Sequence, residues 1–245
     1  MKSLFDTVFS FFLIILFSPL LILSLLMIWI SDFNNPIFFA ERVGINFKKF
    51  RMYKLRTMVV NAEKTKVDST SDDDPRITSL GKFFRKYKID EIFQLINVLR
   101  GHMSFVGPRP NIKRETDLYS DVEKKLLSVK PGITDFSSIV FSDLGNILIN
   151  SDDPNIAYNQ LVRPWKSRLG LFYIEKKSLK LDLCIIFITF ISIFSRNSSL
   201  RLVTFLLIKL NADKKIIQIS KRIDKLVPEP PPGLKDIVMD RNKFK

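Results

Sequence analysis

The sequence predicts a mixed helix-and-strand (α+β) protein that is attached to a membrane. Three observations carry this prediction: a long apolar run near the N-terminus, two strand-like segments joined by a tight turn, and several amphipathic stretches with helical spacing. The chain has 245 residues, enough for one domain with appendages. We expect an N-terminal membrane helix over residues 1–35, a larger domain over 36–195, and a C-terminal amphipathic segment with a Pro-rich tail over 196–245.

The first element is an apolar run from Val8 to Ile30, which is long enough to cross a hydrocarbon core of roughly 30 Å. No small-residue cleavage site follows it, which argues against a secretory signal. Ser18 and Pro19 lie near its middle, where the proline removes a backbone donor and the serine hydroxyl can satisfy the freed carbonyl. Two outcomes stay open: a kinked helix that crosses, or a helix that breaks and returns to the same face. Length alone favours the crossing.

Basic residues follow this run and favour a cytoplasmic location for the rest of the chain. They are Arg42, Lys48, Lys49, Arg51, Lys54 and Arg56. Two later apolar runs, Cys184–Phe194 and Leu200–Leu210, are too short to span a membrane. They are either interfacial helices or helices packed on the core, and their length does not decide between the two.

The next elements form a hairpin and a basic helix. Residues 36–43 and 50–58 read as strands around a tight turn at Gly44–Asn46. Residues 61–76 are polar and predict a surface loop, in which Asp72, Asp73 and Asp74 either bind a cation or are simply solvated. Residues 78–87 have helical spacing and carry several basic side chains.

An amphipathic helix is predicted over residues 89–100, and Gly101 is suited to end it. Its expected apolar stripe consists of Ile92, Leu95, Ile96 and Leu99. A stiff turn over 104–110 then carries Arg109 between two prolines. Residues 158–177 predict a further basic helix with Arg163, Lys166 and Arg168, and residues 228–245 predict an exposed, non-helical tail.

The most informative residues are Asp90 and Glu91, an acidic pair at the start of the predicted 89–100 helix. A carboxylate serves as nucleophile, proton acceptor or metal ligand, and the nearby Arg109 is able to hold a phosphate bidentately. Together they indicate chemistry on a phosphorylated substrate. The structural alternative is that both carboxylates merely stabilise the helix N-terminus. In that case the chain is a non-catalytic module that binds anionic lipid.

Bulk composition bounds the partners. Lys and Arg outnumber Asp and Glu by 39 to 25, giving a net charge of +14, which suits anionic membranes, nucleic acids or phosphorylated ligands. No nucleic-acid-binding motif is present, and the membrane segment argues against that class. The single Cys184 excludes a disulfide within the chain, and the single His102 excludes a His-rich metal cluster.

The motifs, taken in order, make the chain similar to the bacterial sugar transferases, the small membrane-bound (monotopic) phosphoglycosyl transferases that act on polyprenol phosphate. The resemblance runs from about residue 2 to 194. Its main motifs are Leu4-Phe5-Asp6, Ser18-Pro19, Glu41-Arg42-Val43-Gly44, Tyr53-Lys54-Leu55-Arg56-Thr57-Met58, Asp74-Pro75-Arg76-Ile77-Thr78, Asp90-Glu91, Gln94-Leu95, Asn97-Val98-Leu99, Val106-Gly107-Pro108-Arg109-Pro110, Lys130-Pro131-Gly132-Ile133-Thr134 and Leu181-Asp182.

This resemblance implies a reaction and a location. The enzyme would move sugar 1-phosphate from a UDP-sugar to polyprenol phosphate, usually undecaprenyl phosphate, and release UMP, as the first membrane step of a surface glycan pathway. Asp90 would be the nucleophile that forms a covalent phosphosugar intermediate and a ligand of the required Mg²⁺, with Glu91 as its catalytic partner. Ser18 and Pro19 would make the first helix re-entrant, so that the enzyme lies on the cytoplasmic face of the bacterial inner membrane, in contact with lipid.

The basic motif residues Lys54, Arg56, Arg76 and Arg109 are expected to bind substrate phosphate, because a pyrophosphate needs its charge neutralised before a carboxylate can attack it. The chain departs from the family pattern at two places. His102 stands where many members carry an acid, and residues 135–139 replace a common Gly-x-x-Gln-Val stretch. Since that stretch is expected to touch the nucleotide sugar, the identity of the sugar is left open.

Overall fold

A computed structural model describes residues 2–62, 74–149 and 151–240. The fold is mainly helical, with two small two-stranded sheets, which confirms the predicted mixture of helix and strand. The strands are β1 (Ile37–Val43), β2 (Lys49–Leu55), β3 (Ser104–Val106) and β4 (Gly132–Thr134). The helices are α1 (Lys2–Asp32), α2 (Ser79–Lys86), α3 (Gln94–Leu99), α4 (Lys113–Thr116), α5 (Phe136–Val140), α6 (Leu144–Leu148), α7 (Pro154–Ala157), α8 (Arg163–Lys176), α9 (Leu179–Phe194), α10 (Arg196–Lys209) and α11 (Lys214–Lys221).

Helix α1 contains the N-terminal apolar run and continues through Pro19 without interruption. The Ser18 hydroxyl donates a hydrogen bond of 2.7 Å to the carbonyl of Ile15. That carbonyl is the one for which Pro19 has no N–H, so the serine satisfies the group that the proline leaves unpaired. The helix is therefore not broken at Ser18 and Pro19. Among the described residues, α1 is the one helix long and apolar enough to cross a membrane.

Both ends of α1 are tied to the rest of the protein by ion pairs. The Lys2 ammonium lies 2.6 Å from the Asp182 carboxylate on α9, and it also donates to the hydroxyl of Tyr173. At the other end, the Asp32 carboxylate pairs with Arg56 just beyond β2, at 2.6 Å. Between these ends the outward side of α1 exposes large apolar side chains. They include Phe11, Phe12, Ile15, Ile22, Leu23, Trp29 and Ile30.

The predicted hairpin is confirmed. Strands β1 and β2 pair antiparallel, with Ile37 opposite Leu55 and Val43 opposite Lys49. The turn between them places Asn46 in the left-handed region at φ 53°, a conformation that asparagine tolerates better than most residues. The inward residues of the hairpin join the core, and they are Ala40, Val43, Met52 and Leu55.

The predicted 89–100 helix is divided in two. Residues Ile89–Glu91 form one 3₁₀ turn, and α3 follows as a short α-helix. The predicted apolar stripe is wrong at Leu99, which is 37% exposed. Asn97 is instead fully buried. Two hydrogen bonds satisfy its side-chain amide, which accepts from the Tyr53 N–H at 2.9 Å and donates to the Arg51 carbonyl at 2.7 Å. These two bonds dock α3 on the edge of β2, and Gly101 ends the helix at φ 75° as predicted.

The 104–110 segment, which was predicted only as a turn, contributes β3 to a parallel strand pair with β4 of the Lys130–Thr134 motif. Ser104 lies opposite Gly132, and Val106 lies opposite Thr134. The two backbone segments approach so closely that a Cβ on residue 132 would lie 2.1 Å from the backbone nitrogen of Gly107. This pairing holds the segment directly before Arg109 beside β4, the strand that carries Ile133.

Helices α9 and α10 each have one buried and one exposed apolar face. Ile185 and Val203 are completely buried in the main core. Phe187, Phe190 and Phe194 on α9, and Phe205 on α10, are each 60–76% exposed. Each helix therefore packs on the core, as one of the two interpretations expected, and also presents an apolar surface outward. The interfacial location of these helices stays a prediction.

The Pro-rich tail is non-helical as predicted, but the prediction that it is exposed is only partly right for residues 228–240, since Met239 is exposed whereas Pro231 and Val238 are buried. Val238 is completely buried, and three backbone carbonyls of the tail accept side-chain hydrogen bonds from the domain. The donors are Arg168 to Pro230 at 2.9 Å, Gln160 to Val238 at 2.7 Å, and Ser120 to Pro232. An extended proline-rich chain leaves its carbonyls unpaired, so they are available to such donors.

Candidate active site

Asp90 and Glu91 lie on the 3₁₀ turn before α3, directly after Lys88, which adopts a left-handed conformation at φ 56°. Asp90 is only 7% exposed. The Lys54 ammonium reaches both carboxylates from β2, at 3.7 Å from Asp90 and 3.1 Å from Glu91. The N-cap residue of α3 is Phe93, which makes no side-chain capping bond, so the acidic pair does not serve as the cap of this helix.

Arg109 binds Glu91 bidentately. Its two terminal nitrogens lie 2.5 Å and 3.1 Å from the two Glu91 oxygens, and one of them also donates to the carbonyl of Ile133. The sequence predicted Arg109 as a phosphate clamp. In this structure its guanidinium holds the second carboxylate of the pair in place, beside the strand pair β3–β4.

The two carboxylates have opposite electrostatics. Burial raises the pKa of Asp90, and the charge of Lys54 only partly opposes this. Burial also acts to raise the pKa of Glu91, but the charges of Arg109 and Lys54 and the hydrogen bond from Arg109 outweigh it and lower that pKa well below its usual range. Neighbouring carboxylates whose pKa values are driven apart are typical of catalytic pairs with different roles. Glu91 is held as an anion by its two cationic partners, whereas the charge of Asp90 is less fully compensated.

The other predicted binding residues are divided. Lys54 lies at the acidic pair, as described above. Arg56 instead pairs with Asp32 at the end of α1, and Arg76 pairs with Asp74 at 2.6 Å. Ser18 and Pro19 lie in the middle of α1, apart from the charged cluster. The structure thus brings together Asp90, Glu91, Lys54 and Arg109, and gives Arg56 and Arg76 other carboxylate partners.

Sequence reasoning overlooked two cations that face the pair. Burial lowers the pKa of Lys88, whose charge interacts with both carboxylates of the pair. Arg85 on α2 also acts electrostatically on Asp90, and its guanidinium donates to the hydroxyl of Thr57 at 2.9 Å. The signal was present in the sequence, because both residues lie within five positions of Asp90 in a basic stretch.

The acidic pair meets the requirements for Mg²⁺ only in part. Among residues 2–62, 74–149 and 151–240, no three His, Cys, Asp or Glu side chains are grouped closely enough to form a cation cage. Asp72 and Asp73 of the acidic loop lie outside the described residues, and Asp74 is engaged by Arg76. Mg²⁺ is usually held by one or two carboxylates together with substrate phosphates. Asp90 fits that pattern, since it is the carboxylate that Arg109 leaves free.

A small cavity of about 30 Å³ lies beside this cluster, on the side of Arg109 that faces α8. Its lining is part polar and part apolar, with Pro108 and Leu126 among the apolar residues, and comes from four separate parts of the chain. The polar and charged residues around it are Arg109, Asn111, Tyr119, Asp135, Ser137, Tyr158, Arg163, Lys166 and Ser167. The 135–139 stretch, which departs from the family pattern, thus contributes Asp135 and Ser137 next to Arg109.

The chain belongs to the family described as bacterial sugar transferase, whose model matches residues 1–196. It is 30% identical over 203 residues to the exopolysaccharide production protein ExoY of Sinorhizobium fredii, a match that covers 77% of this chain and 83% of that protein. It is 38% identical over 152 residues, 55% of this chain, to the undecaprenyl-phosphate galactose phosphotransferase of Salmonella typhimurium. It is 37% identical over 206 residues, 80% of this chain, to the undecaprenyl-phosphate glucose phosphotransferase of Komagataeibacter xylinus.

Coverage differs among these relatives. The chain spans about a third of the length of the two phosphotransferases, 31% of the Salmonella protein and 36% of the Komagataeibacter protein. The family match ends at residue 196, so all but the first residue of α10, together with α11 and the tail, lies beyond it. The acidic pair, Lys54 and Arg109 all lie inside the matched region.

Proposed function

We propose that this protein transfers sugar 1-phosphate from a UDP-sugar to undecaprenyl phosphate and releases UMP. The observation that carries the proposal is the arrangement around Asp90. Asp90 is a buried carboxylate with a lysine 3.7 Å away, next to a glutamate that an arginine holds at two points. Family membership and the names of the phosphotransferase relatives support the same reaction.

In the first half-reaction, an Asp90 oxygen attacks the phosphorus that bears the sugar. The bond from that phosphorus to the bridging oxygen breaks, and UMP leaves with the bond's electron pair. Lys54 lies between the two carboxylates and stabilises charge that develops on the transferring phosphoryl group. Glu91 holds Lys54 and Arg109 in position, because its carboxylate contacts both.

In the second half-reaction, a phosphate oxygen of undecaprenyl phosphate attacks the same phosphorus. The bond from phosphorus to Asp90 breaks, which regenerates the carboxylate and leaves a pyrophosphate-linked sugar on the lipid. This two-step route lets a water-soluble donor and a lipid acceptor react at one buried carboxylate in turn. Mg²⁺, which Asp90 would help to hold together with the donor phosphates, supplies neutralisation of the pyrophosphate charge.

A monotopic attachment at the cytoplasmic face of the membrane completes the proposal. Support comes from α1, whose opposite ends pair with Asp182 and Arg56 of one and the same domain. A helix that crossed the bilayer would place one of these ends on the far side, away from its partner. The exposed aromatic residues of α9 and α10 offer a further apolar surface for the same lipid leaflet.

The test is a UMP-release assay with purified protein, Mg²⁺, undecaprenyl phosphate and a panel of UDP-sugars. The panel includes UDP-galactose and UDP-glucose, because the relatives differ in the sugar that their names give. Wild-type protein should release UMP with at least one donor, and a chelator should abolish the activity. A folded wild-type protein that releases no UMP with any donor contradicts the proposal.

Asp90→Asn distinguishes the enzyme from a non-catalytic module that binds anionic lipid. The variant removes the nucleophilic oxygen but keeps the size of the side chain, so UMP release should fall by at least a thousandfold, roughly the scale of losing a covalent catalyst. Co-sedimentation with anionic vesicles should stay unchanged. Full turnover by Asp90→Asn, or a phosphosugar adduct found by mass spectrometry on another residue, would exclude the proposed mechanism.

A further inference from the structure

One cationic side chain that lines the cavity beside Arg109, that of Lys166, has no role in the reaction proposed above. Lys166 lies on α8, and its ammonium stands 5.3 Å from the ring centre of Tyr158. Lys166 and Arg109 both line the cavity, so it adjoins the acidic pair through the residue that holds Glu91. The cavity and the acidic pair therefore share Arg109, so that an anion bound in the cavity would contact the same guanidinium that holds Glu91.

Lys166 differs from the two arginines of the cavity in its partners. Arg109 pairs with Glu91, and Arg163 pairs with Glu123 at 2.6 Å. No carboxylate lies within 4.0 Å of the Lys166 ammonium in the part of the chain that the structure describes. The Asp135 carboxylate, which also lines the cavity, accepts hydrogen bonds from the hydroxyls of Ser137 and Ser138 and from the Ser138 N–H instead.

The electrostatics of the cavity favour the binding of an anion beside Lys166. Burial, aided by the charge of Arg109, lowers the pKa of Lys166 to about 8, although the charges of Asp135 and Glu91 act in the opposite direction. The remaining titratable groups that face the cavity are Arg163 on α8 and the phenols of Tyr119 and Tyr158. Burial raises the pKa values of the two phenols above their usual range. An anion placed next to Lys166 would restore the charged form of the lysine.

The size of the cavity limits what enters it. A volume of about 30 Å³ is enough for one or two water molecules, since a single water needs roughly 10–15 Å³. A nucleoside does not fit, whereas one or two oxygens of a phosphate group do. A compact ammonium and a forked guanidinium are both suited to such oxygens.

We propose that Lys166, together with Arg109, binds the phosphate of the UMP half of the donor, and so holds the leaving group while Asp90 attacks. This inference rests on the proposed function and adds a binding residue that lies 57 positions after Arg109 in the chain. It also gives a role to the 135–139 stretch, because Asp135 lines the same cavity and its negative charge would direct a bound anion towards Lys166 and Arg109.

The experiment measures the binding of UMP and of uridine to the detergent-solubilised full chain by isothermal titration calorimetry. Lys166→Met should weaken UMP binding by roughly ten- to a hundredfold, the scale of one charged hydrogen bond, and should leave uridine binding unchanged. Lys166→Arg should recover most of the UMP affinity. Lys176→Met, near the end of the same helix and paired with Glu175 at the surface, is the matched control and should bind UMP like the wild type.

A pH series gives a readout that a merely structural lysine would not affect. UMP affinity of the wild type should fall as the pH rises through about 8, because the lysine then loses its proton in the free protein. Lys166→Arg should keep its affinity to higher pH, since its guanidinium stays charged, and Lys166→Met should show no such fall.

The outcomes separate this inference from the proposed function. Equal UMP affinity of Lys166→Met and wild type, or an equal loss of uridine and UMP binding, overturns the role of Lys166 even if the wild type turns over. Lysine-dependent UMP binding by a wild type that releases no UMP from any UDP-sugar leaves the phosphate site standing and overturns the transferase.

Discussion

At residue 163, an arginine lies almost entirely out of water. The side chains of Arg163 and Glu123 are 1% and 0% exposed, and they are joined at 2.6 Å and 3.1 Å. Asn159 and the Leu118 carbonyl accept from the guanidinium as well, and Ser167 donates to Glu123. Such a pair gains little over an apolar pair when complete, but removing one partner leaves a buried charge without compensation. The network therefore fixes α8 on the segment that bears Glu123 and, with it, the wall of the cavity.

Arg163→Met should lower the free energy of unfolding by about 3–5 kcal/mol, because Glu123 stays buried without its partner. Thermal unfolding in detergent, followed by circular dichroism, measures the change. Lys113→Met is the control, since Lys113 and Asp117 form a surface pair with side chains 58% and 57% exposed, for which about 0.5 kcal/mol or less is expected. Adding Glu123→Gln to Arg163→Met should restore part of the loss. Equal melting temperatures of the Arg163 and Lys113 variants would contradict the argument.

At the same scale, the sequence predicted which residues lie together at the candidate site better than it predicted their individual contact partners. Asp90, Glu91, Lys54 and Arg109 meet in space as the motifs implied. Charge and motif order do not reveal which of several carboxylates a given cation will contact, however. Arg109 was expected to face phosphate and holds Glu91. The sequence places Lys166 only in a basic helix, because its nearness to Arg109 depends on a contact between distant segments.

At the scale of elements, the hairpin and the long helices were predictable because their patterns are local. An alternating strand pair around a turn, or an apolar run of more than twenty residues, is visible in one window of sequence. The parallel pair β3–β4 was not predictable, since each strand has three residues and its partner lies 28 positions away. The contacts of the tail were missed for a similar reason, because many of them are made by backbone carbonyls, which carry no sequence signature.

Gly132→Ala tests the importance of the β3–β4 pair. A Cβ at residue 132 would lie 2.1 Å and 2.4 Å from backbone atoms of Gly107, so the strands would have to separate and move Arg109 away from Glu91. We expect UMP release to fall at least tenfold, roughly the effect of a 1 Å displacement in an active site, together with a lower melting temperature.

Gly101→Ala is the control for this substitution. An alanine at the φ of 75° would be strained, but its added Cβ would have no atom closer than 3.6 Å. It should cost about 1 kcal/mol in stability and keep the activity. Wild-type turnover by Gly132→Ala would show that the strand pair does not position Arg109.

At the scale of the whole molecule, the proposed membrane attachment depends on how a helix of 31 residues would lie in a bilayer. A straight helix of that length is about 46 Å long, more than the roughly 30 Å of hydrocarbon that it would cross. Yet the charged residues at its two ends, Lys2 and Asp32, both pair with residues of the same domain. Breaking either pair to send one end across the membrane would leave the other member unpaired, and Asp182 is 3% exposed.

This geometry predicts that both ends of α1 stay on one side of the membrane, which is the cytoplasmic side under the proposed function. Cysteines placed singly at Ser3 and Asn35, in a Cys184→Ser background, should react with a membrane-impermeant maleimide only after spheroplasts are permeabilised. Both positions are exposed in the structure, so failure to react after permeabilisation would not arise from burial. A helix that crossed fully would give labelling at residue 3 from outside intact spheroplasts and at residue 35 only after permeabilisation. Because Ser3 adjoins the Lys2–Asp182 pair while Asn35 follows the Asp32–Arg56 pair, a split result would also show which of the two contacts the membrane-bound protein gives up.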